Sequence, residues 1–91
     1  MAHYLVSYDL RKNRNYVDLW QKLEGWRGAR ILESLWLVSL NQTASDVRDA
    51  LHATVDDDDR LVVIELKNGS GWACRHAMPE GVKWLQKNIL R

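Results

Sequence analysis

Apolar residues in this 91-residue chain change spacing in a fixed order, from every second residue to every third or fourth and back again, twice over. That order decides which elements the chain can form. In His3–Asp9 the alternate residues Tyr4, Val6 and Tyr8 make one apolar face, which reads as a strand and puts Asp9 on the other face with His3, Leu5 and Ser7. From Tyr16 the spacing becomes helical through Leu19, Trp20 and Leu23, and Gly25 or Gly28 stops the helix. Ala29–Leu40 is too long for one ordinary strand, and the break at Glu33–Ser34 predicts two strands with a tight or bulged connection. Thr43 or Ser45 then caps a second helix with Val47, Ala50, Leu51 and Val55 as its buried stripe. An acidic loop, Asp56–Asp59, leads into Arg60–Leu66, a strand with Val62, Ile64 and Leu66 expected toward the core.

The resulting order, β-α-β-β-α-β through residue 67, matches the split βαβ of a ferredoxin-like α+β sandwich, with both helices on one face of an antiparallel sheet. Residues 1–67 are expected to form that domain. Residues 68–91 form a C-terminal extension: a turn at Asn68–Gly71, an ambiguous stretch from Trp72 to Met78, and a short helix opened by Pro79 with Val82, Leu85 and Ile89 on one side. The second sheet face, bearing Leu5, Leu35 and Leu37, would be an exposed apolar patch. A homodimer covers it most simply, and the extension either folds back on its own domain or pairs with the partner.

Composition excludes several classes. A hydrophobic fraction of 46% beside 27% charged residues is globular rather than disordered. One cysteine allows neither an internal disulfide nor a cysteine zinc site. The longest mostly apolar uncharged run, Leu35–Leu40, is far short of the roughly 20 residues of a membrane span. The first residues lack the basic-then-apolar order of a signal peptide, so a cytoplasmic protein with no membrane partner is expected. The net charge of +1 conceals basic ends and an acidic middle, so any nucleic-acid role rests on a local patch or one doubled by dimerisation.

Asp9 is the residue that invites chemistry, at the end of the first strand beside a basic loop. Magnesium binds through one or two carboxylates plus substrate phosphate, so a two-fold axis bringing two copies of Asp9 together would complete a site for Mg²⁺ or Mn²⁺. Asp9 otherwise caps the turn or pairs with Arg11 or Arg14. Arg11, Lys12 and Arg14 would supply counter-charge to a phosphate backbone near Asp9, with Arg27 and Arg30 at the far end of the first helix. His3, His52 and His76 have no ligand spacing among them, and Asp56–Asp59 lacks the alternation of a calcium loop. Cys74 and the five Trp are expected to fill core or interface.

The stretch Tyr4–Leu10, the helix ending Leu23-Glu24-Gly25-Trp26, and Glu33-Ser34-Leu35-Trp36-Leu37 together resemble Cas2, the family of small dimeric CRISPR-associated proteins. In that family the first strand ends in a Tyr-Asp pair, and Trp36 stands where its members carry Phe. The resemblance covers residues 3–67 and implies a ferredoxin-like homodimer with strand-end aspartates facing across a cleft. It further implies either a metal-dependent endonuclease acting on RNA or DNA, or a non-catalytic scaffold for nucleic acid with an integrase partner. Carried over by position, Asp9 would be the catalytic metal ligand, Ser34 a cleft residue, and Arg11 or Arg14 a phosphate contact. The VapD-type toxin ribonucleases, which share this fold, show the same strand-end aspartate.

Overall fold

The computed structural model describes residues 1–9 and 16–90. Its elements run β1 (Ala2–Asp9), α1 (Val17–Gly25), β2 (Ala29–Leu32), β3 (Leu35–Leu40), α2 (Ala44–His52), β4 (Arg60–Leu66) and α3 (Pro79–Asn88). The four strands form one antiparallel sheet in the order β2-β3-β1-β4, the ferredoxin-like arrangement with β1 central and β4 at one edge. Glu33 and Ser34 make the two-residue connection between β2 and β3, and a register shift follows Arg30. No helix among the described residues is long and apolar enough to cross a membrane.

On the helical face, Tyr4, Val6 and Tyr8 of β1 and Trp36 and Val38 of β3 pack against Leu19 and Leu23 of α1 and Val47 and Leu51 of α2. These are the residues that the alternating and helical spacings place inside, and their burial is the main source of stability. Thr43 caps α2 with a reciprocal box: the Asp46 amide donates to Thr43 Oγ1 at 3.1 Å, and the Thr43 amide donates to Asp46 Oδ2 at 3.4 Å. The last turn of α1 closes with the Gly28 amide donating to the Leu23 carbonyl and the Arg27 amide to that of Glu24, a Schellman pattern with Arg27 at the left-handed position, φ 60°.

The second face is covered in half. Ile31 and Leu37 are buried there against Leu85 of α3 and Ile89 just after it, with Leu5, Leu35, Leu66, Trp72 and Trp84 around them. Both ends of α3 are tied down. The Met78 amide donates to the Ile31 carbonyl at 2.9 Å, the Gly69 amide to the Leu90 carbonyl at 2.7 Å, and Trp72 Nε1 to the Ile89 carbonyl at 3.1 Å. The uncovered half belongs to β1 and β4, where Val62 and Ile64 are each 51% exposed. This corrects the expectation for β4. Leu61 and Val63, not Val62 and Ile64, pack toward the helical core, because Val63 pairs with Val6 and shares its face while Val62 and Ile64 lie opposite Ser7 and Leu5.

Gly81 is where α3 presses on β2. A Cβ there would sit 2.2 Å from Ile31 Cβ and 2.6 Å from its Cα, so the backbones could not stay this close. In an unobstructed helix Gly→Ala stabilises by up to about 1 kcal/mol. Here the sign is expected to reverse, with Gly81→Ala losing about 1–3 kcal/mol in urea unfolding as α3 is lifted off Ile31. A stabilised variant would show that α3 does not dock this way.

Candidate functional site

Asp9 ends β1 opposite Arg60, the first residue of β4. Their side chains meet at 3.4 Å, Arg60 Nη1 donating to Asp9 Oδ2, with both about two-thirds exposed. Such a pair in water is weak, on the order of 0–1 kcal/mol, and leaves the carboxylate accessible. The partner is thus Arg60, set opposite by strand register. Arg11, Lys12 and Arg14 lie outside the described residues.

Asp9 and Ser34 share a shallow cleft of about 280 Å³ with Tyr8, Trp20, Arg30 and Glu33. Ser34 reaches it through the connection between β2 and β3, where its carbonyl accepts from the Tyr8 amide at 3.1 Å. The cleft wall is built around the Tyr8 hydroxyl. That oxygen accepts from Trp20 Nε1 at 3.0 Å and Trp36 Nε1 at 3.1 Å, and donates to the Glu33 carbonyl at 3.0 Å. One hydroxyl therefore joins α1, β1, β3 and the turn after β2.

Arg30 lies over both indoles, its Cζ 5.0 Å from the Trp20 ring centroid and 5.5 Å from that of Trp36. Its Nε donates to the Glu33 carbonyl at 3.0 Å, and Nη2 donates to the same oxygen. Nη1 has no partner among the described residues, so a positioned cation faces the cleft that holds Asp9. The sequence places Arg30 at the far end of the first helix; its long side chain returns it to the end of β1. Tyr8, Trp20 and Glu33 carry no local signal of this role, because the contacts between them span from 12 to 25 positions.

The donor set that the described residues of one chain offer is too small for a metal. Among the described residues no three of His, Cys, Asp and Glu come together where they could hold an ion. Asp9 is a single carboxylate, so a metal here requires a further donor from a second copy or from substrate phosphate. His3, His52 and His76 stay apart: His3 Nδ1 meets Ser39 Oγ at 2.7 Å and His52 Nε2 meets Asp57 Oδ1 at 3.0 Å. Cys74 is exposed, against the expectation that it fills the core.

Because three hydrogen bonds converge on one buried oxygen, Tyr8→Phe leaves two indole donors unsatisfied, while the Glu33 carbonyl keeps its bonds from Arg30. A loss of about 1–3 kcal/mol is expected, read by urea unfolding together with a change in tryptophan emission. An unchanged midpoint would mean that water replaces the hydroxyl and that Tyr8 does not brace the cleft.

A comparison with solved structures finds no match. The family described as CRISPR associated protein Cas2 matches residues 1–71, which takes in all four strands, the first two helices and the Asp9 cleft but not α3. With most of its length so matched, the chain belongs to the Cas2 family.

Proposed function

We propose that this Cas2-family chain works as a homodimer on nucleic acid, cleaving a phosphodiester of RNA or DNA with Asp9 from each protomer holding Mg²⁺ or Mn²⁺. The observation that carries this reading is the position of Asp9: it is exposed at the end of β1, in one cleft with Arg30 and Ser34, beside the half of the sheet that α3 leaves open. The open half favours a second copy as its cover. Val62 and Ile64 lie opposite Ser7 and Leu5, and an apolar groove of about 350 Å³ lined by Leu5, Leu35 and Leu66 adjoins them. Burial of about 800 Å² on each protomer is a standard interface.

An ion held by two carboxylates lowers the pKa of its bound water and offsets phosphate charge. The protein's own contribution is positioning. Arg30, held flat by two indoles and the Glu33 carbonyl, offers its remaining N–H groups to a phosphate oxygen at little entropic cost. Arg11, Lys12, Arg14 and Ser34 are proposed to hold the flanking strand. A non-catalytic scaffold, with an integrase as further partner, is the second reading. It is favoured by Arg60, whose contact with Asp9 Oδ2 competes with any metal for that oxygen.

One measurement tests the dimer that both readings share, and a second separates the readings. Val62→Asp with Ile64→Asp is expected to convert a dimer in light scattering into a monomer of about 10.6 kDa, and a wild-type monomer would overturn the shared site. Asp9→Asn is expected to lower Mg²⁺-dependent cleavage by about 100-fold or more while moving stability by less than about 1 kcal/mol, since the Arg60 pair is exposed. Cleavage that survives Asp9→Asn places the chemistry elsewhere, and a wild-type protein that cleaves nothing leaves the scaffold reading.

A further inference from the structure

At the end of β1 opposite to Asp9, α3 and the last turn of α1 enclose an open groove of about 480 Å³. Arg27, Lys83 and Lys87 line it against a single carboxylate, Glu80, with the indoles of Trp26 and Trp84 between them. Lys83 and Lys87 stand one helical turn apart, so both project from the same side of α3. Lys22 adds a fourth cation, its Nζ 5.4 Å from the centre of the Trp26 ring.

Ion pairs between described residues lie elsewhere, among them Arg48–Asp49, His52–Asp57, Arg60–Asp9 and Lys67–Glu65. Around this groove the cations have no carboxylate partner among the described residues. A surface that merely keeps a protein dissolved intersperses the two signs. Unpaired cations beside half-buried indoles are the combination that binds a phosphate backbone and stacks its bases. Arg27 strengthens the case from the backbone. It lines the groove from the left-handed residue of the Schellman turn, where glycine is unstrained and a long side chain is not, so a cation is kept there at a cost in stability.

We propose that the groove between α1 and α3 binds single-stranded nucleic acid, with Arg27, Lys83 and Lys87 on the phosphates and Trp26 and Trp84 on the bases. The site is additional to the Asp9 cleft. It is built in part by α3, beyond the residues that match the family. Binding is measured in EDTA, so that it is read whether or not Asp9 supports cleavage.

Fluorescence anisotropy of the full chain with labelled oligo(dT) and oligo(U) of about twelve nucleotides tests the proposal. Lys83→Ala with Lys87→Ala is expected to weaken binding about ten-fold or more and to flatten the dependence of log affinity on log salt by about 1.4. Arg48→Ala, which removes a cation from α2 on the other face, is expected to stay within about two-fold. Arg27→Gly should separate stability from binding, raising Tm by about 4–8 °C while weakening the complex several-fold. Binding of the deoxy strand, the ribo strand or both supports the groove and assigns the sugar it takes. The proposal fails if neither strand binds at about 50 mM salt, if Lys83→Ala with Lys87→Ala does no more than Arg48→Ala, or if a duplex binds as tightly as the single strand.

Discussion

A four-stranded sheet with apolar residues on both faces must cover both, and this chain has helices enough for one and a half. α1 and α2 cover the face that carries Tyr4, Val6 and Tyr8. α3 alone serves the other, and it can approach β2 only because Gly81 has no Cβ to meet Ile31. That docking fixes the rest of the molecular surface. It buries Ile31 and Leu37, leaves Val62 and Ile64 in water, and brings Lys83 and Lys87 beside the last turn of α1.

A different kind of constraint operates at the Asp9 end. Four segments meet there on one hydroxyl, and a buried network of this sort holds only when every member is satisfied. The Tyr8 oxygen meets that condition with two donors and one acceptor. Its consequence is a rigid wall behind an exposed carboxylate, so the cleft is preorganised on its Arg30 side and open on its Asp9 side. A group that must meet a second copy or a substrate is better left exposed than locked in a strong pair, and the contact with Arg60 is weak enough to be exchanged.

The sequence makes most of the framework legible because its periodicities are clean: the elements lie close to the expected bounds, although α2 ends at His52, short of Val55, and Tyr4, Val6, Tyr8, Leu19, Leu23, Val47 and Leu51 are inside. β4 shows where periodicity stops helping. Its residues Leu61, Val62, Val63 and Ile64 are apolar in unbroken succession, so alternation alone does not say which face is the core, and the pairing of Val63 with Val6 decides it. The site divides in the same way. Asp9 and Ser34 follow from motif and resemblance, whereas the Trp20–Tyr8–Trp36 triangle and the return of Arg30 depend on distant contacts that no local pattern encodes. The left-handed cap falls on Arg27 rather than on either flanking glycine, because the last helical residue is Gly25 and the two closing bonds run from Arg27 and Gly28.

The two surfaces that α3 separates do not compete. In the strand order β2-β3-β1-β4, the open apolar half lies toward the β4 edge, while the cationic groove involves Ala29 of β2 and Ser39 of β3 toward the other edge. A partner seated on Val62 and Ile64 would remove apolar area from water without desolvating Arg27, Lys83 or Lys87, whose burial would cost far more than the contact returned. A two-fold pair formed on that half would therefore carry two cationic grooves on its outside, doubling the basic surface of a chain whose net charge is only +1. Local concentration of charge at Lys22, Arg27, Lys83 and Lys87, rather than a high total, would then allow a nearly neutral protein to attract a polyanion.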